Sequence, residues 1–323
     1  MYDAARDLDA GGLIAKLFSG VPAPPGSVPQ LRLLATLHHL VLAGRAPALA
    51  AFYPSAGGEL PPRRVWPAAL ATIEEHLDWI SQRLHRTVQT NEPGRSAVLF
   101  GALLWLTDRY RLPIRLLEIG ASAGLNLIPD RYCYLVEGEE LGDPASPVRF
   151  NEPWQPGPHI DTHYATRRLR IVSRAGCDHH PLDPRDLEDR LALLSYIWPD
   201  ELERIERMKA ALELASSSPV PITAQSAREW LEGALDAAGE DQLTVVWQSI
   251  FRQYVGADEW AAIEDTMRPA LHRDRRRPLV WLLMEPRDDH LARIRLTLRT
   301  HPDEPERQLA WCGDHGPPVL WKR

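Results

Sequence analysis

From about residue 113 to its end, the chain alternates short apolar runs with stretches of helical periodicity. Apolar runs without polar alternation are typical of strands buried on both faces of a parallel sheet. Such runs occupy residues 115–119, 168–173, 220–223, 243–250 and 278–284. Antiparallel edge strands are predicted at residues 294–299, 308–311 and 319–321. The pattern therefore predicts an α/β domain with a mostly parallel sheet, helices on both faces and an antiparallel C-terminal edge.

The first 112 residues have a different pattern, with apolar residues at helical spacing between proline-rich joints. One helix is marked by Leu31, Leu34, Leu37 and Val41, and a second opens near Pro67. We therefore predict a helical N-terminal cap over residues 1–112 and the α/β domain over residues 113–323. Within the latter, residues 131–137 and 148–154 resemble paired strands, so a hairpin insertion is expected around residues 131–167.

Residues 115–127, RLLEIGASAGLNL, predict a strand, a tight turn and a helix. Gly120 and Gly124 lack Cβ atoms, so a ligand can approach the backbone of the turn closely. The free N–H groups at the start of the following helix would face an anionic group bound there. Glu118 adds an acceptor at the end of the strand. We expect this turn to cradle a small polar ligand, and Gly120→Val to abolish binding without unfolding the protein.

The order Glu118, Gly120, Ser122, Gly124 resembles the first motif of the class I S-adenosylmethionine (SAM) methyltransferases, with serine in place of the middle glycine. The resemblance implies that these residues and Asn126 bind the methionine and ribose parts of SAM. Residues 120–124 also spell G-x-S-x-G, the nucleophile elbow of α/β-hydrolases.

In a hydrolase, Ser122 would be the nucleophile, with Asp265 or Asp289 and His290 or His315 as partners. A hydrolase places several strands before its serine, whereas the residues preceding this turn are predicted to be helical. Chain order therefore favours the methyltransferase, and the serine hydrolase is kept as a lesser alternative.

A second acidic residue is expected at the ribose of a bound nucleotide. Asp178 lies near the carboxyl end of the second predicted core strand, where such a residue accepts hydrogen bonds from ribose hydroxyls. Glu137 competes with it because it lies closer to the usual spacing of about 20 residues from the first motif. We favour Asp178, since residues 122–130 are too few for a full crossover helix before Glu137.

Longer stretches resemble a bacterial family of unknown function that is usually described as methyltransferase-like. They are NEPGRS (91–96), LLEIGASAGLNL (116–127), RAGCDHHPLDP (174–184) and VVWQS (245–249). The resemblance implies a Rossmann-like methyltransferase fold with a SAM-sized pocket. It therefore implies a transferase that uses SAM to methylate a small-molecule acceptor.

Two departures from the expected methyltransferase residues bear on this function. Gln225 and Ser226 stand where Gly-Asp is expected, so they would border the adenine without a carboxylate. Gln248 and Ser249 stand where His-Ser is expected, and an amide cannot accept a proton near neutral pH. The alternative is a methyltransferase-like fold repurposed for a non-SAM displacement or elimination, or one that works with a partner subunit.

The remaining candidate site residues are polar groups near predicted strand ends and loops. We expect the substrate-side residues to be Asn91, Glu92, Arg95, Arg131, Tyr132, Gln248, Ser249 and Arg252. His38 and His39 lie in an apolar helix and are interpreted as core or boundary residues. Two groups have spacing that a metal could use, namely His159, Asp161, His163 and Asp178, His179, His180. Neither has an evident third anchored ligand, so no metal is expected.

Composition limits the classes of partner. The net charge is −7, and the basic residues form no long tract, which argues against nucleic acid as the main partner. The three isolated cysteines favour a reducing cytoplasm, and no apolar run is long enough to cross a bilayer. A small-molecule substrate is expected, and a homo-oligomer or a partner subunit is compatible with the sequence.

Overall fold

The computed structural model describes residues 2–22, 27–237, 239–272, 276–287 and 290–322, without the side chains of residues 287 and 290–293. Its helices are α1 (Tyr2–Asp9), α2 (Leu13–Phe18), α3 (Pro29–Leu42), α4 (Pro47–Ala50), α5 (Trp66–Glu75), α6 (Leu77–Leu84), α7 (Arg95–Tyr110), α8 (Thr162–Arg168), α9 (Leu187–Ser195), α10 (Leu202–Ser217), α11 (Ala227–Asp236) and α12 (Ala257–Ala270). Its strands are β1 (Ile114–Ile119), β2 (Cys133–Val136), β3 (Glu139–Gly142), β4 (Arg149–Asn151), β5 (Ile171–Asp178), β6 (Ile222–Ala224), β7 (Leu243–Ser249), β8 (Leu279–Arg287), β9 (His290–Arg299), β10 (Arg307–Gly313) and β11 (Gly316–Trp321).

Eight strands form one sheet in the order β11-β10-β9-β8-β7-β1-β5-β6. The five strands from β8 to β6 are parallel to their neighbours, and β9, β10 and β11 add an antiparallel edge. This confirms the predicted α/β class with a mostly parallel sheet and an antiparallel C-terminal edge. The chain runs outward from β1 to β5 and β6, then returns to β7 on the other side of β1. The strand order therefore reverses between β1 and β7, where open α/β sheets form a crevice at the carboxyl ends of their strands.

Alternating residues of the central strands point to opposite faces of the sheet. On one face, Leu117, Val246 and Trp281 pack in a buried cluster with residues of α11 and α12, including Leu231 and Met267. The other face carries Leu116 and Glu118 from β1 and Val245 and Trp247 from β7. Both sets are buried, which explains the uninterrupted apolar runs of these strands.

Helix α7 is held to the sheet by aromatic side chains. Phe100 stacks on Tyr134 with ring centroids 4.3 Å apart, and Tyr134 also stacks on Phe150 and Trp154. The indole N–H of Trp154 donates to the Ala97 carbonyl at 2.9 Å. Contacts of this kind bury large apolar area and orient the rings. They fix α7 beside β11 and the small sheet formed by β2, β3 and β4.

Two local predictions are wrong. The glycine turn after β1 is followed by short 3₁₀ turns at Leu125–Leu127 and Pro129–Arg131, not by the expected helix. Pro129 and the hydrogen-bond partners of the turn amides leave no room for a regular helix.

The predicted hairpin also has a different partner. β2 pairs antiparallel with β3, which was predicted to be loop, and parallel with β4, in the three-stranded order β3-β2-β4.

The chain folds into two compact units. The helical unit comprises Met1–Thr90 and Arg185–Lys209, and the sheet unit comprises Asn91–Pro184 and Ala210–Arg323. In contrast to the sequence interpretation, α7 groups with the sheet unit and α9 with the helical unit. The reason is packing, because α7 contacts β11 whereas α9 contacts α3. Among the described residues, no helix combines the length and the apolar character needed to cross a bilayer.

The helical unit has its own core, built from residues such as Leu37, Leu40, Ile73, Ile80 and Leu84. Two histidines of α3 are buried beside it. His38 Nδ1 lies 3.2 Å from the Ser195 carbonyl and Nε2 lies 2.8 Å from the Ser55 hydroxyl. This arrangement fits a neutral ring whose Nδ1–H donates and whose Nε2 accepts. Burial lowers the pKa of His38 from 6.5 to about 4.

Acid should therefore destabilise the helical unit through His38. Because its pKa is depressed in the folded state, its contribution is present above pH 6.5 and is lost as pH falls towards 4. We expect the loss between pH 7 and pH 4 to be smaller in His38→Asn than in the wild type by about 3 kcal/mol. Urea unfolding at each pH measures it. The exposed His85 gives the matched control, His85→Asn, and parallel pH curves for all three proteins would contradict the assignment.

Candidate functional site

The candidate site lies at the carboxyl ends of the parallel strands, on both sides of the reversal between β1 and β7. Four polar residues end these strands: Glu118 in β1, Asp178 in β5, Gln248 in β7 and Glu285 in β8. Glu118 and Gln248 are almost completely buried. Buried polar residues at strand ends are typical of ligand sites in open α/β sheets.

The turn after β1 does not form the open amide cradle that the sequence predicted. The N–H groups of Gly120 and Ala121 donate to the Cys177 carbonyl at 2.9 and 3.0 Å. The N–H of Ser122 donates to Asp178 Oδ2 at 3.0 Å, and that of Gly124 donates to the Ala121 carbonyl. The turn amides are therefore largely used within the protein, since each N–H has only one hydrogen to donate.

Side chains also cover the two glycines of the turn. A Cβ atom on Gly120 would lie 2.5 Å from Cδ2 of Phe251, and one on Gly124 would lie 3.1 Å from Cδ1 of Ile222. Both glycines have positive φ angles, 71° and 74°. Glycine is needed here for close packing and for left-handed backbone. Gly120→Val would consequently strain the turn and displace Phe251, so it cannot separate ligand binding from folding.

The segment Asn91–Ser96 connects the loops around the site. Asn91 Oδ1 accepts the N–H of Leu125 at 2.9 Å, and the Ser96 hydroxyl donates to Asn126 Oδ1 at 2.8 Å. Glu92 Oε1 accepts the N–H of Gly94 at 3.1 Å. All six residues of the segment are buried. Asn91 thus holds the backbone that follows the turn, whereas Glu92 binds the backbone at the start of α7.

Arg95 extends from the first turn of α7 to two further loops. Its Nε donates to the Asp314 carbonyl at 3.1 Å and its Nη1 to the Ser249 carbonyl at 3.3 Å. Gly94 makes this approach possible, because a Cβ atom there would collide with the His315 carbonyl, and one on Gly316 would collide with the Gly94 carbonyl. Arg95 therefore connects the end of β7 to the turn between β10 and β11. Burial lowers the pKa of its guanidinium.

Glu118 is the most strongly perturbed acid of the site. Burial raises its pKa well above the ordinary 4.5, and the nearby charge of Asp178 acts in the same direction. Arg95 and the indole of Trp247 oppose this rise by favouring the ionised form. The pKa of the Glu118 carboxyl therefore depends on the charges of the groups beside it.

Three buried polar atoms here lack a hydrogen-bond partner among the described residues. They are Glu118 Oε2, Asn126 Nδ2 and Trp247 Nε1. Glu118 and Trp247 are register partners on β1 and β7, so both side chains leave the same face of the sheet. Although the Trp247 indole favours the ionised carboxyl electrostatically, it makes no hydrogen bond of ordinary geometry to it. Unsatisfied buried polar groups of this kind are typical of functional sites.

On the opposite face, Gln248 is part of a chain of buried hydrogen bonds. Its Nε2 donates to Glu285 Oε1 at 2.6 Å, and its Oε1 accepts the indole N–H of Trp281 at 3.0 Å. Glu285 Oε1 also accepts the N–H groups of Phe251 and Arg252. Both ends of the Gln248 amide are engaged, so Gln248 holds Glu285 in place and is not presented to a substrate.

Glu285 was not among the site residues predicted from the sequence, although the sequence contains a signal for it. It follows an apolar run, PLVWLLM (278–284), that ends at this carboxylate. In a parallel sheet this position lies at the same edge as the ends of β1 and β7. Burial raises the pKa of Glu285, while its hydrogen bonds from Gln248, Phe251 and Arg252 act against the rise.

The structure brings only some of the predicted substrate-side residues to this edge. Ser249 contributes its carbonyl to Arg95, and Arg252 donates to the Val255 carbonyl at 3.1 Å. Tyr132, by contrast, is completely buried and donates to the Leu125 carbonyl, so it supports the turn from below. Arg131 donates to the Ser218 carbonyl. The hydroxyl of Tyr132 is therefore used within the protein, and Arg131 contacts the loop at Ser218.

The two candidate ribose acids occupy different places. Asp178 ends β5, and its carboxylate accepts the N–H groups of Ser122 and His180. Glu137 lies in the exposed turn between β2 and β3. Of the two, only Asp178 lies at the carboxyl edge of the large sheet.

The two predicted adenine-side residues lie next to Asp178. Gln225 is exposed and its N–H donates to the Asp178 carbonyl, while Ser226 caps α11 by accepting the N–H of Glu229.

Ser122 departs from the geometry of a nucleophile elbow. It is 2% exposed, its carbonyl accepts the N–H of Leu182, and no helix begins behind it. Of its proposed partners, Asp265 is exposed on α12, and His315 pairs with Asp314 at 3.7 Å. Asp289 and the side chain of His290 lie outside the described residues.

Among the side chains of the described residues, one cluster has the spacing of metal ligands. One group of three, His272, His301 and Asp303, has ligand atoms within 4.8 Å of one another. It lies at the end of α12 and the loop between β9 and β10, and two of its members are exposed. The clusters suggested by spacing have other roles: Asp161 caps α8, and His179 pairs with Glu259 at 3.4 Å.

A protein-family model matches residues 1–321, and its description reads "Uncharacterized protein conserved in bacteria (DUF2332)". The chain belongs to this family. The match confirms the resemblance to a bacterial family of unknown function, whereas the methyltransferase part of that resemblance stays a prediction. No curated protein and no solved structure matches the chain.

The perturbed carboxyl of Glu118 should make the stability of the protein pH-dependent. Because its pKa is raised on folding, its contribution is fully present below pH 4.5 and is lost as pH rises through the raised value. Glu118→Gln cannot ionise, so its melting temperature should exceed that of the wild type by an amount that grows from pH 4.5 to pH 8. Differential scanning fluorimetry without added ligand measures this.

The matched control is Glu137→Gln, an exposed carboxyl in the same unit. It should leave the difference from wild type constant across the range. If Glu118→Gln behaves like Glu137→Gln, the carboxyl of Glu118 is not perturbed as described.

Proposed function

We propose that the protein transfers a methyl group from SAM to a small-molecule acceptor, with the cofactor bound at the carboxyl ends of β1, β5 and β7 in a Rossmann-like methyltransferase fold. The observation that carries the proposal is the unsatisfied group of Glu118, Asn126 and Trp247 beside the strand-order reversal. Together with the parallel order β8-β7-β1-β5-β6, it supports a polar ligand at this position.

The amino-acid end of SAM suits Glu118 and Arg95. Glu118 interacts electrostatically with Arg95, so the two present opposite charges within the same buried region. An ammonium group near Glu118 would favour the ionised carboxyl, and a carboxylate would find N–H groups of Arg95 beyond the two that bind Asp314 and Ser249. A zwitterion therefore fits this pair better than a simple anion.

The nucleoside end would follow the neighbouring strands. Asp178 ends β5, where an acidic residue can accept hydrogen bonds from ribose hydroxyls. Gln225 and Ser226, between β6 and α11, would border the adenine. The contacts to the cofactor would come from side chains and carbonyls, because the turn amides are already used.

When bound, SAM supplies an electrophilic methyl group. The chain then has to bind the acceptor in line and exclude water, and positioning of this kind can supply a large part of the rate enhancement. Gln248 serves this indirectly by fixing Glu285 and the loop at Phe251. An acceptor that is already nucleophilic needs no strong base, so the amide at position 248 is compatible with methyl transfer.

A second candidate is favoured by the covered turn. Because Phe251 packs on Gly120 and the amides donate to Cys177 and Asp178, the same fold would suit a non-SAM displacement or elimination, alone or with a partner subunit. The two candidates differ in one measurable property, which is affinity for SAM.

Calorimetric titration with SAM and with S-adenosylhomocysteine tests the proposal. We expect saturable binding to the wild type, and at least tenfold weaker binding to Asp178→Asn, because a charge-assisted hydrogen bond contributes about 1.5–3 kcal/mol. Glu137→Gln is the matched control and should bind like the wild type. Circular dichroism shows whether each variant is folded.

Absence of binding by the folded wild type at about millimolar SAM, the upper end of the usual KM range of enzymes, would overturn the methyltransferase proposal. Such a result would favour the second candidate. Weaker binding in Glu137→Gln but not in Asp178→Asn would reverse the assignment of the ribose acid.

A further inference from the structure

A cavity of about 310 Å³ lies between α12 and the antiparallel pair β8 and β9. Its lining includes Glu285, Arg295, Arg252, Trp260 and Leu283. The volume is at the lower end of the range for small-molecule sites. It lies on the α11 and α12 face of the sheet, whereas Glu118 and Trp247 point to the other face.

Glu285 and Arg295 are directly opposite each other across β8 and β9. A cross-strand pair of opposite charge would ordinarily form an ion pair, yet no such pair forms here. Instead, Glu285 Oε2 and Arg295 Nε are both shielded from solvent and have no hydrogen-bond partner among the described residues. Both side chains also line the cavity.

Some of the charged side chains around the cavity form ion pairs and others do not. Arg299 donates to Glu264 at 3.1 Å and to Glu306, so its guanidinium is balanced by two carboxylates. Arg252 and Arg295 have no carboxylate within ion-pair distance in the part of the chain that the structure describes. Glu285 supplies a single carboxylate beside these two cations, so it offsets them only in part. The inner end of the cavity therefore favours an anion.

The rest of the lining favours a flat apolar body. Leu283 and Pro286 contribute apolar surface, and the ring of Trp260 lies 4.9 Å from the Arg252 guanidinium carbon. A planar ligand that packs against Trp260 would place its polar end near Arg252 and Arg295. Thr297 adds a hydroxyl to the same lining.

We propose that this cavity binds a small amphipathic carboxylate, held by Arg295 and Arg252 at its anionic end and by Trp260 and Leu283 along its apolar body. The site does not depend on the proposed methyl transfer, because none of these residues belongs to the cofactor site.

The experiment is calorimetric titration of the full chain, without SAM, using three probes of matched or contrasting charge. Benzoate combines a carboxylate with a flat ring, benzamide is its neutral isostere, and inorganic phosphate is an anion without an apolar body. We expect benzoate to bind at least tenfold more tightly than either of the others. Loss of a charge-assisted contact is large enough to produce a difference of this size.

Variants show which residues bind benzoate and distinguish a loss of binding from a loss of folding. Arg295→Gln should weaken benzoate binding at least tenfold, whereas Glu285→Gln, which removes a negative charge at the facing position, should bind benzoate at least as tightly as the wild type. Arg307→Gln, on an exposed arginine of the neighbouring strand β10, is the matched control and should change nothing.

Three results would overturn the proposal: no saturable binding of benzoate by the folded wild type, equal affinity for benzoate and benzamide, or unchanged benzoate affinity in Arg295→Gln. Tighter binding of phosphate than of benzoate would overturn the assignment to a carboxylate. Benzoate binding in this pattern without binding of SAM would support this site and overturn only the methyltransferase proposal.

Discussion

The sheet unit depends on the hydrogen bonds by which the buried segment Asn91–Ser96 holds the loops at the carboxyl edge of the sheet. Asn91 accepts from the backbone of Leu125, Ser96 donates to Asn126, and Arg95 reaches the carbonyls of Ser249 and Asp314. Polar groups removed from water must find partners inside the protein. This segment supplies those partners to three loops that are distant in sequence, and the aromatic stack around Phe100 and Trp154 keeps α7 in the position that allows it.

This constraint explains why the glycine turn is closed. Once Asn91, Asp178 and the Cys177 carbonyl have taken the turn amides, little donor capacity remains for an anion, and Phe251 can pack directly on Gly120. The unsatisfied polar atoms occur instead on side chains, at Glu118, Asn126 and Trp247. A ligand at this edge would consequently be recognised by side chains, which a short motif of glycines does not reveal.

β7 separates two chemically different environments. Trp247 points to the face that carries Glu118, whereas the next residue, Gln248, points to the opposite face and holds Glu285. This follows from the alternation of side chains along a strand. Two buried carboxyls with raised pKa values thus lie near the ends of β1 and β8, on either side of β7 and on opposite faces of one sheet. The glutamine at position 248 therefore does not leave this edge of the sheet without a titratable group, since Glu285 lies on the adjacent strand β8.

The sequence by itself determined the α/β class and the antiparallel C-terminal edge, because apolar periodicity is a local signal. It also pointed to Glu118, Asn91 and Arg95 as candidate site residues, since polar residues near strand ends are local signals as well. It did not reveal that α7 packs with the sheet, that 3₁₀ turns replace the expected helix, or that Tyr132 and Gln248 serve as supports. Those features depend on which distant groups satisfy each buried donor and acceptor. Only the tertiary structure could pair Leu125 with Asn91 and Gln248 with Trp281, since hydrogen-bond partners far apart in sequence leave no periodic pattern.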